Sequence, residues 1–373
     1  SFVNGIWTLK GGKHVDYIVN QITKNMIDII KKKNKDLNVK PQHIKDNLFV
    51  MIKSTIVNPA FDSQTKETLT TPVSKFGSKG ELSKQFYNKL YNTKLIENVI
   101  ELSQIYMSKS LKKTDGKKKN QIKGIPKLDD AIWAGTNKSE QCTLILTEGD
   151  SAKSMAIAGL SVVGREKYGV FPLRGKLLNV LDTADTKIAS NEEITNIKKI
   201  MGLEAKKVYK DLKSLRYGKI MVMTDQDVDG SHIKGLLFNL FNTMWPSLIK
   251  IDGFMNSMLT PIIKAKRKDV IIEFYNLTDY ENWKKDNNVN KWDIKYYKGL
   301  GTSTEKEAKE YFKDIKNVEY IFDEDGSKEK IDLAFNKKRA DDRKEWLYNY
   351  DKQNILDYKQ KQVDYEDFID SDL

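Results

Sequence analysis

The 373-residue sequence predicts an α/β protein whose main domain has a parallel-type sheet flanked by helices. One observation is a unit that occurs twice: a short apolar strand, an acidic residue at its end, and a helix of small or apolar residues. The strands are Cys142–Thr147 and Lys219–Thr224, and the helices are Asp150–Leu160 and Ser231–Trp245. The other observation is that residues 1–108 follow a different pattern, which predicts a separate α+β domain.

Within residues 1–108, helical and extended patterns alternate. His14–Lys33 has apolar residues at helical spacing and ends in three lysines, where the helix dipole favours cations. Leu48–Val57 is rich in β-forming residues and predicts a strand that stops before Asn58 and Pro59. Leu82–Met107 returns to helical spacing.

Residues 109–140 are basic, polar and rich in turn-forming residues, which is typical of an exposed linker. Residues 141–373 are then expected to form the second domain, with a polar surface insertion at residues 279–290. After the two strand–acid–helix units the pattern alternates between strands and charged helices. The expected elements of this tail are Met258–Ala265, Val270–Tyr275, Thr304–Lys316 and Lys337–Tyr348.

The composition narrows the class of partner. Lysine and arginine number 64 against 52 acidic residues, a net charge of +12 that favours nucleic acid before a membrane, although lysine-rich solvated faces explain it equally well.

A single cysteine, Cys142, excludes an internal disulfide and a cysteine-based zinc site, and the three histidines are scattered. No stretch approaches the roughly 20 apolar residues of a membrane span. The first residues lack the pattern of a signal peptide, and we expect the chain to be part of a longer protein.

The candidate site consists of carboxylates at the two strand ends. Glu148 follows the first strand, and Asp225, Asp227 and Asp229 follow the second on alternate residues. Alternate residues of an extended chain share one face, where like charges are costly without a cation, and Mg²⁺ is the natural neutraliser. Two other readings are a calcium loop and a plain acidic helix cap. The calcium loop is disfavoured, because Leu236 occupies the position where such a loop requires a bidentate Glu.

Longer motifs carry a resemblance to a known family. They are NPAFDSQTKETL, IKGIPKLDDA, EGDSA, PLRGKLLNV, DQDVDGSHIKGL and YYKGLGTST, and they are spread over nearly the whole chain. Together they resemble the type IIA DNA topoisomerases of the eukaryotic kind. The resemblance implies that residues 1–108 are the C-terminal part of a transducer domain and residues 141–373 a TOPRIM domain with a tail.

The resemblance also implies roles for the acids. Glu148, Asp225 and Asp227 would be the catalytic carboxylates, with two Mg²⁺ ions per site. Glu148 and Asp225 would hold the first ion, Asp225 and Asp227 the second, and Asp229 would be a shared or outer ligand. The first ion would stabilise charge that develops on the phosphate and the leaving oxygen.

Other residues are assigned to ATP and DNA by the same resemblance. Gln64, Thr65 and Lys66 would contact the γ-phosphate of ATP, which an upstream domain would mainly bind. Arg174, Lys176 and Asn179 would lie along DNA near the cleavage site. Further backbone contacts, which are equally well explained as solvated charge, are expected at Lys31, Lys32, Lys33, Lys337 and Lys338.

The function implied is part of an ATP-dependent type II topoisomerase that cuts both DNA strands transiently, passes a second duplex and religates. We expect a homodimer of the full-length protein in the nucleus, acting on double-stranded DNA and not on a membrane. The nucleophilic tyrosine is expected outside this chain, as is the ATPase core. Two alternatives remain: another TOPRIM phosphotransferase or nuclease, and a non-catalytic DNA-binding module.

Overall fold

A computed structural model describes residues 1–33, 37, 39–350, 356, 358 and 360–373. The chain forms two compact units, Ser1–Ser110 and Leu111–Leu373. The division lies two residues beyond the boundary expected at residue 108.

The first unit combines short strands with helices. Its small sheet has the order β2-β1-β3, antiparallel between β1 and β2 and parallel between β1 and β3. The buried face of α1, with Ile22, Met26 and Ile30, packs against Ile44 and Val99. The elements are β1 (Phe2–Val3), β2 (Ile6–Trp7), α1 (Lys13–Lys33), α2 (Pro41–Lys45), β3 (Lys53–Ser54), α3 (Lys84–Tyr91) and α4 (Leu95–Lys113), whose last turn runs into the second unit.

Two expectations for this unit were wrong in detail. The strand predicted at 48–57 is reduced to β3, and the side chains of Phe49 and Met51 are 91% and 79% exposed, so their apolar character does not reflect burial in this unit. The helix predicted at 82–107 is two helices, α3 and α4. The break follows Tyr91, where the Thr93 hydroxyl donates to the carbonyl of Leu90 at 2.6 Å and closes the turn.

The second unit is built on two sheets with helices around them. Its strands are β4 (Thr143–Glu148), β5 (Tyr168–Leu173), β6 (Lys219–Met223), β7 (Met255–Met258), β8 (Ile263–Arg267), β9 (Val270–Phe274), β10 (Asp293–Tyr296), β11 (Asn317–Ile321) and β12 (Gln362–Asp364). Its helices are α5 (Gly149–Val163), α6 (Asp185–Ser190), α7 (Glu192–Met201), α8 (Val228–Met244), α9 (Pro246–Ile249), α10 (Leu277–Asp286), α11 (Glu305–Lys313), α12 (Gly326–Phe335), α13 (Ala340–Tyr348) and α14 (Tyr365–Ser371).

The main sheet confirms the predicted fold class. Its order is β12-β11-β7-β6-β4-β5, parallel from β7 to β5, with β11 antiparallel to β7. Thr147 pairs with Met223, so the carboxyl ends of β4 and β6 lie side by side. The second sheet, β10-β8-β9, is antiparallel.

Both faces of the main sheet are covered, which explains why its central strands are apolar throughout. Leu144 and Leu146 of β4 belong to the core that includes α8, whereas Ile145 faces the core formed with α5 and α11. Gly159 lets α5 approach α11 closely, since a Cβ there would lie 2.1 Å from the ring of Phe312. This packing holds the N-termini of α5 and α8 at the strand ends.

The basic segment expected to be an exposed linker is, from Leu111 onward, part of the second unit and packs within it. Lys198, 1% exposed, bonds to Asp115 Oδ1 at 2.9 Å. Arg216, fully buried, donates to the Lys119 carbonyl at 2.6 Å and to Asp130 Oδ2 at 2.5 Å. Buried cations with these partners fix the segment, although most of its own lysines remain exposed.

The tail differs from the sequence pattern in two places. The single strand expected at 258–265 is two strands, β7 and β8, which belong to different sheets. The polar run at 279–290 is largely α10, which buries Tyr280 in the core of the second sheet. None of the helices in the described ranges is long and apolar enough to span a bilayer.

Candidate metal centre

Glu148 and Asp225 meet at the adjacent ends of β4 and β6. Glu148 is the last residue of β4, and its Oε2 accepts a hydrogen bond from the backbone N–H of Asp225 at 3.2 Å. The parallel register of the two strands produces this contact, since it brings residues distant in sequence to one edge of the sheet.

Asp225 is held from the other side by the loop after β10. Its Oδ1 accepts the backbone N–H of Leu300 at 2.7 Å. A Cβ at Gly299 would lie 2.4 Å from Asp225 Oδ2, so only glycine leaves room for the carboxylate. The backbone of Gly299 is extended, with a φ of −175°, so the requirement is one of space and not of conformation.

The sequence predicts that the three aspartates share one face, and this prediction is wrong. Asp227 is the N-cap of α8, and its Oδ1 accepts the N–H of Gly230 at 2.8 Å. Asp229 already lies in the first turn of the helix, with its Oδ1 2.7 Å from Lys176 Nζ. The extended geometry ends at Asp227 because the helix begins there.

The electrostatics of the acids differ. Burial raises the pKa of Glu148; the Asp225 N–H opposes this, and the neighbouring carboxylates add to it. The hydrogen bond from Lys176 lowers the pKa of Asp229. Burial, together with the Lys176 charge, lowers the pKa of His232 on the same turn. Burial therefore opposes the ionisation of Glu148, and a cation beside it would favour the ionised form.

The donor set fits a magnesium ion with few protein ligands. Among the described residues, no group of three or more His, Cys, Asp or Glu side chains is arranged to enclose a metal. Mg²⁺ usually takes one or two carboxylates and completes its shell with water and phosphate, which suits Glu148 and Asp225. Thr224 and Gln226, the two neighbours of Asp225 in sequence, have a buried Oγ1 and a buried Nε2 with no hydrogen-bond partner in the protein. Water commonly completes polar sites of this kind.

The residues expected along DNA have different surroundings. Arg174, after β5, lies 3.1 Å from Glu192 and 3.7 Å from Glu193 and is half-exposed. Lys176 is equally accessible beside Asp229. Asn179 does not fit the DNA contact expected for it. Its amide donates to the carbonyl of Phe335 at 2.8 Å and its Oδ1 accepts two further bonds, so the side chain is used within the fold.

The remaining lysines expected at DNA lie far from the acids in sequence. Lys31 and Lys32 are exposed on the last turn of α1, in the first unit. The side chain of Lys33 lies outside the described part of the chain. Lys337 and Lys338 are exposed on a single turn of 3₁₀ helix before α13. Their exposure agrees equally with backbone contacts and with plain solvation.

The Gln64–Lys66 segment is the tip of a narrow loop in the first unit. The bridge between Phe61 and Leu69 closes its base, and Asp62 Oδ1 accepts the N–H of Thr68 at 3.1 Å. All three tip side chains are exposed, and Lys66 has a left-handed backbone with a φ of 58°. The fold therefore presents these groups outward from a fixed base.

Sequence reasoning missed the partners that position these groups. The motif containing Gly299 and Leu300 was recognised, but nothing in it indicated contact with Asp225. Lys127 of the IPKLDDA motif pairs with Asp150 at 2.5 Å, beside Glu148 at the start of α5. Only contact across the fold reveals either relationship.

The fold and the acids at its strand ends define a Toprim domain. Family models match three consecutive stretches: "DNA gyrase B" at residues 1–120, "Toprim domain" at 143–254 and "C-terminal associated domain of TOPRIM" at 258–373. The chain belongs to the type II DNA topoisomerase family, as its relatives also show.

The relatives match over the whole chain. It is 50% identical to DNA topoisomerase 2 of Arabidopsis thaliana and 49% identical to DNA topoisomerase 2-beta of Homo sapiens, covering 26% and 24% of their lengths. It thus spans about a quarter of the relatives it matches. A crystal structure of the Plasmodium falciparum topoisomerase II DNA-binding, cleavage and re-ligation domain is 51% identical, with a TM-score of 0.66, over 68% of this chain and 35% of that one.

Proposed function

We propose that this chain is the metal-binding part of an ATP-dependent type II DNA topoisomerase. The complete protein would cut both strands of one duplex, pass a second duplex through and religate. The observation that carries the proposal is the contact between Glu148 and the N–H of Asp225 at 3.2 Å, which joins two acids at neighbouring strand ends. Relatives named DNA topoisomerase 2 supply the reaction class.

In this proposal Glu148 and Asp225 hold one Mg²⁺, Asp225 and Asp227 hold a second, and Asp229 acts from the outer shell. When bound, the ions supply positive charge to the scissile phosphate and to the leaving oxygen. The protein's own part is to keep the acids in place. Leu300 and Gly299 fix Asp225, and the strand register fixes Glu148.

DNA would lie along the loop after β5. Arg174 and Lys176 are each half-exposed and paired with acids, so a DNA phosphate would replace Glu192 or Asp229 as their partner. Lys31, Lys32, Lys337 and Lys338 are proposed only as weaker backbone contacts.

The attacking tyrosine is proposed to come from another part of the complete protein. Tyr297, which lines the same small pocket as Asp225, is nearly buried and donates to Glu307 Oε1 at 2.5 Å. Burial raises its pKa far above the ordinary value, and the bond to Glu307 adds to this, which is the opposite of what activates a phenol. Tyr296 donates to the hydroxyl of Tyr280 at 2.9 Å and lies in the second sheet.

Communication with ATP is proposed for the Gln64–Lys66 loop tip. A lysine ammonium is a compact charge suited to a terminal phosphate, and the exposed tip is free to reach a nucleotide held by another domain. A homodimer in the nucleus is the assembly proposed for the full-length protein, since the relatives are eukaryotic DNA topoisomerases.

The test is plasmid relaxation with Mg²⁺ and ATP by the complete protein carrying Glu148→Ala or Asp225→Ala. We expect both to lose at least a hundredfold in rate, because each removes charge beside the reacting phosphate. Glu140→Ala is the matched control, since this exposed acid lies just before the opposite end of β4. Relaxation retained by either site variant would overturn the proposal.

A further inference from the structure

The side chain of Asn179 joins three elements of the second unit. Its Nδ2 donates to the carbonyl of Phe335, the last residue of α12, at 2.8 Å. Its Oδ1 accepts the Nδ2 of Asn239 in α8 at 2.8 Å and the backbone N–H of Leu181 at 3.1 Å. The bond to Leu181 is local. The other two join residues 60 and 156 positions apart in sequence, so they fasten the loop after β5 to two helices.

The partners on the two helices are themselves held in place. Asn239 is completely buried, and its own Oδ1 accepts the hydroxyl of Thr243, one turn later in α8, at 3.2 Å. Phe335 is also buried, and its ring lies so close to α8 that a Cβ at Gly235 would be 3.0 Å from it. Because a buried amide that loses its partner is costly, the pair of Asn179 and Asn239 has one preferred arrangement.

The same loop contacts α8 a second time, at the start of the helix. Lys176 pairs there with Asp229 in the first turn. Asp229 and Asn239 are about 15 Å apart along the helix axis, so the loop lies beside α8 and is tied to it at two levels. The Lys176 pair is half-exposed and screened by water. The bond to the buried Asn239 is therefore the firmer of the two attachments.

We propose that Asn179 is a positioning residue for DNA that acts through Lys176: by fixing the loop after β5 to α8 and α12, it holds the ammonium group of Lys176 beside the acids. The inference rests on the placement of DNA along this loop in the proposed function. Lysine is a point charge on a flexible stem, and a fixed backbone reduces the conformational entropy that is lost when a phosphate binds it.

A double-mutant cycle separates this role from a plain structural one. A residue that only stabilises the fold leaves the contribution of Lys176 to DNA binding unchanged in the folded protein. A residue that acts through Lys176 has little effect once that lysine is absent. The measurement is fluorescence anisotropy of a short duplex with the complete protein, in metal-free buffer so that the DNA is not cleaved.

Asn179→Ala removes all three side-chain bonds. We expect the folded variant to bind the duplex about fivefold more weakly than wild type. Lys176→Ala should weaken binding by the wild-type protein, but in the Asn179→Ala background it should weaken it further by roughly twofold or less.

Asn287→Ala is the matched control. Asn287 is also half-buried, and its Nδ2 also donates to a backbone carbonyl, that of Trp283 at 2.9 Å at the end of α10. Its removal should leave duplex affinity unchanged, and Lys176→Ala should keep its full effect in that background.

A second variant keeps the test decisive if Asn179→Ala does not fold. Asn239→Ala removes the partner on α8 and leaves the bonds of Asn179 to Leu181 and Phe335. Duplex binding should weaken about threefold, again with a reduced effect of Lys176→Ala, because α12 is then the one helix that the Asn179 side chain still bonds.

The outcomes separate the two levels of the argument. If Lys176→Ala does not weaken binding by the wild-type protein, the placement of DNA along this loop fails, and the role of Asn179 fails with it. If Lys176→Ala weakens binding by the same factor in wild type and in the folded Asn179 and Asn239 variants, only the role of Asn179 is overturned. Wild-type duplex affinity in folded Asn179→Ala would likewise overturn that role.

Discussion

Lys176 and Asp229 form an ion pair, with Nζ 2.7 Å from Oδ1, that joins the loop after β5 to the first turn of α8. A proposed DNA contact and a proposed outer metal ligand are therefore partners of each other. Each is about half-exposed, so water screens the pair and the cost of separating it is small.

The first prediction follows from this pairing. In metal-free buffer, Asp229→Asn should strengthen DNA binding, because Lys176 is released to a phosphate. Lys176→Ala should weaken DNA binding and reduce the slope of log affinity against log salt by about one. Fluorescence anisotropy with a short duplex at several salt concentrations measures both.

Lys199→Ala is the control, since this lysine is exposed on α7 and should leave the slope unchanged if DNA follows the loop after β5. Identical slopes for wild type and Lys176→Ala would contradict the placement of DNA there.

A second prediction concerns Gly299. Alanine there would bring a Cβ to 2.4 Å from Asp225 Oδ2, so the carboxylate must move. We expect Gly299→Ala to lower Mn²⁺ affinity about tenfold, as displacement of a ligand's supporting partner does. Calorimetric titration of this chain measures the change.

Gly301→Ala provides a close control, because its Cβ would meet Ser151 at an ordinary 3.5 Å. Equal Mn²⁺ affinities for the two alanine variants would show that crowding of Asp225 does not govern the site.

A third prediction concerns pH. Burial raises the pKa of Glu148 in the folded protein above its value of 4.5 in the unfolded chain, so its ionisation reduces stability at neutral pH. Below pH 4.5 the group is protonated in both states and this cost disappears. Glu148→Gln should therefore raise the melting temperature of the metal-free protein at pH 7 by about 2 °C and lose that advantage as the pH falls through the raised pKa of Glu148 toward 4.5.

Thermal melts with a chelator between pH 4 and pH 7.5 test this, with Glu140→Gln as an exposed control. An advantage of Glu148→Gln that grew toward low pH would contradict the assigned direction.

A fourth prediction concerns the basic segment at 109–140. Lys198→Ala leaves Asp115 without its buried partner and should lower the free energy of unfolding by about 3 kcal/mol. The segment itself should become sensitive to trypsin, since its exposed lysines are protected only by the packing of its backbone. Chemical denaturation and limited proteolysis measure the two effects. Cleavage within 112–123 at the same rate in wild type and variant would indicate that Lys198 does not fix the segment.

A fifth prediction concerns the loop tip. Lys66→Ala removes an exposed charge, so the stability of this chain should not change measurably. In the complete protein, DNA-stimulated ATP hydrolysis should fall severalfold, because the terminal phosphate loses a lysine contact. Lys79→Ala, also exposed in the first unit, is the control. Normal ATP hydrolysis by Lys66→Ala would show that the loop tip does not contact the terminal phosphate.

Much of the architecture was predictable because it depends on local pattern. Apolar runs that end in an acid and continue into small-residue helices identified β4, α5, β6 and α8 to within three residues at each end. The polar run that contains Tyr280 was misjudged, because a helix that buries a single aromatic side chain has little apolar periodicity. β5 was missed because Gly169 and Pro172 interrupt its pattern, although it pairs with β4 over its whole length.

The sequence by itself determined the family, the fold class and the acids at the strand ends, because these depend on short motifs and on periodicity along the chain. The tertiary structure decided what each group touches. It turned Asn179 inward, paired Asp229 with Lys176 and placed Gly299 against Asp225. Such contacts join residues far apart in sequence, and the free energy that selects them comes from packing and charge pairing across the folded chain, which no local pattern records.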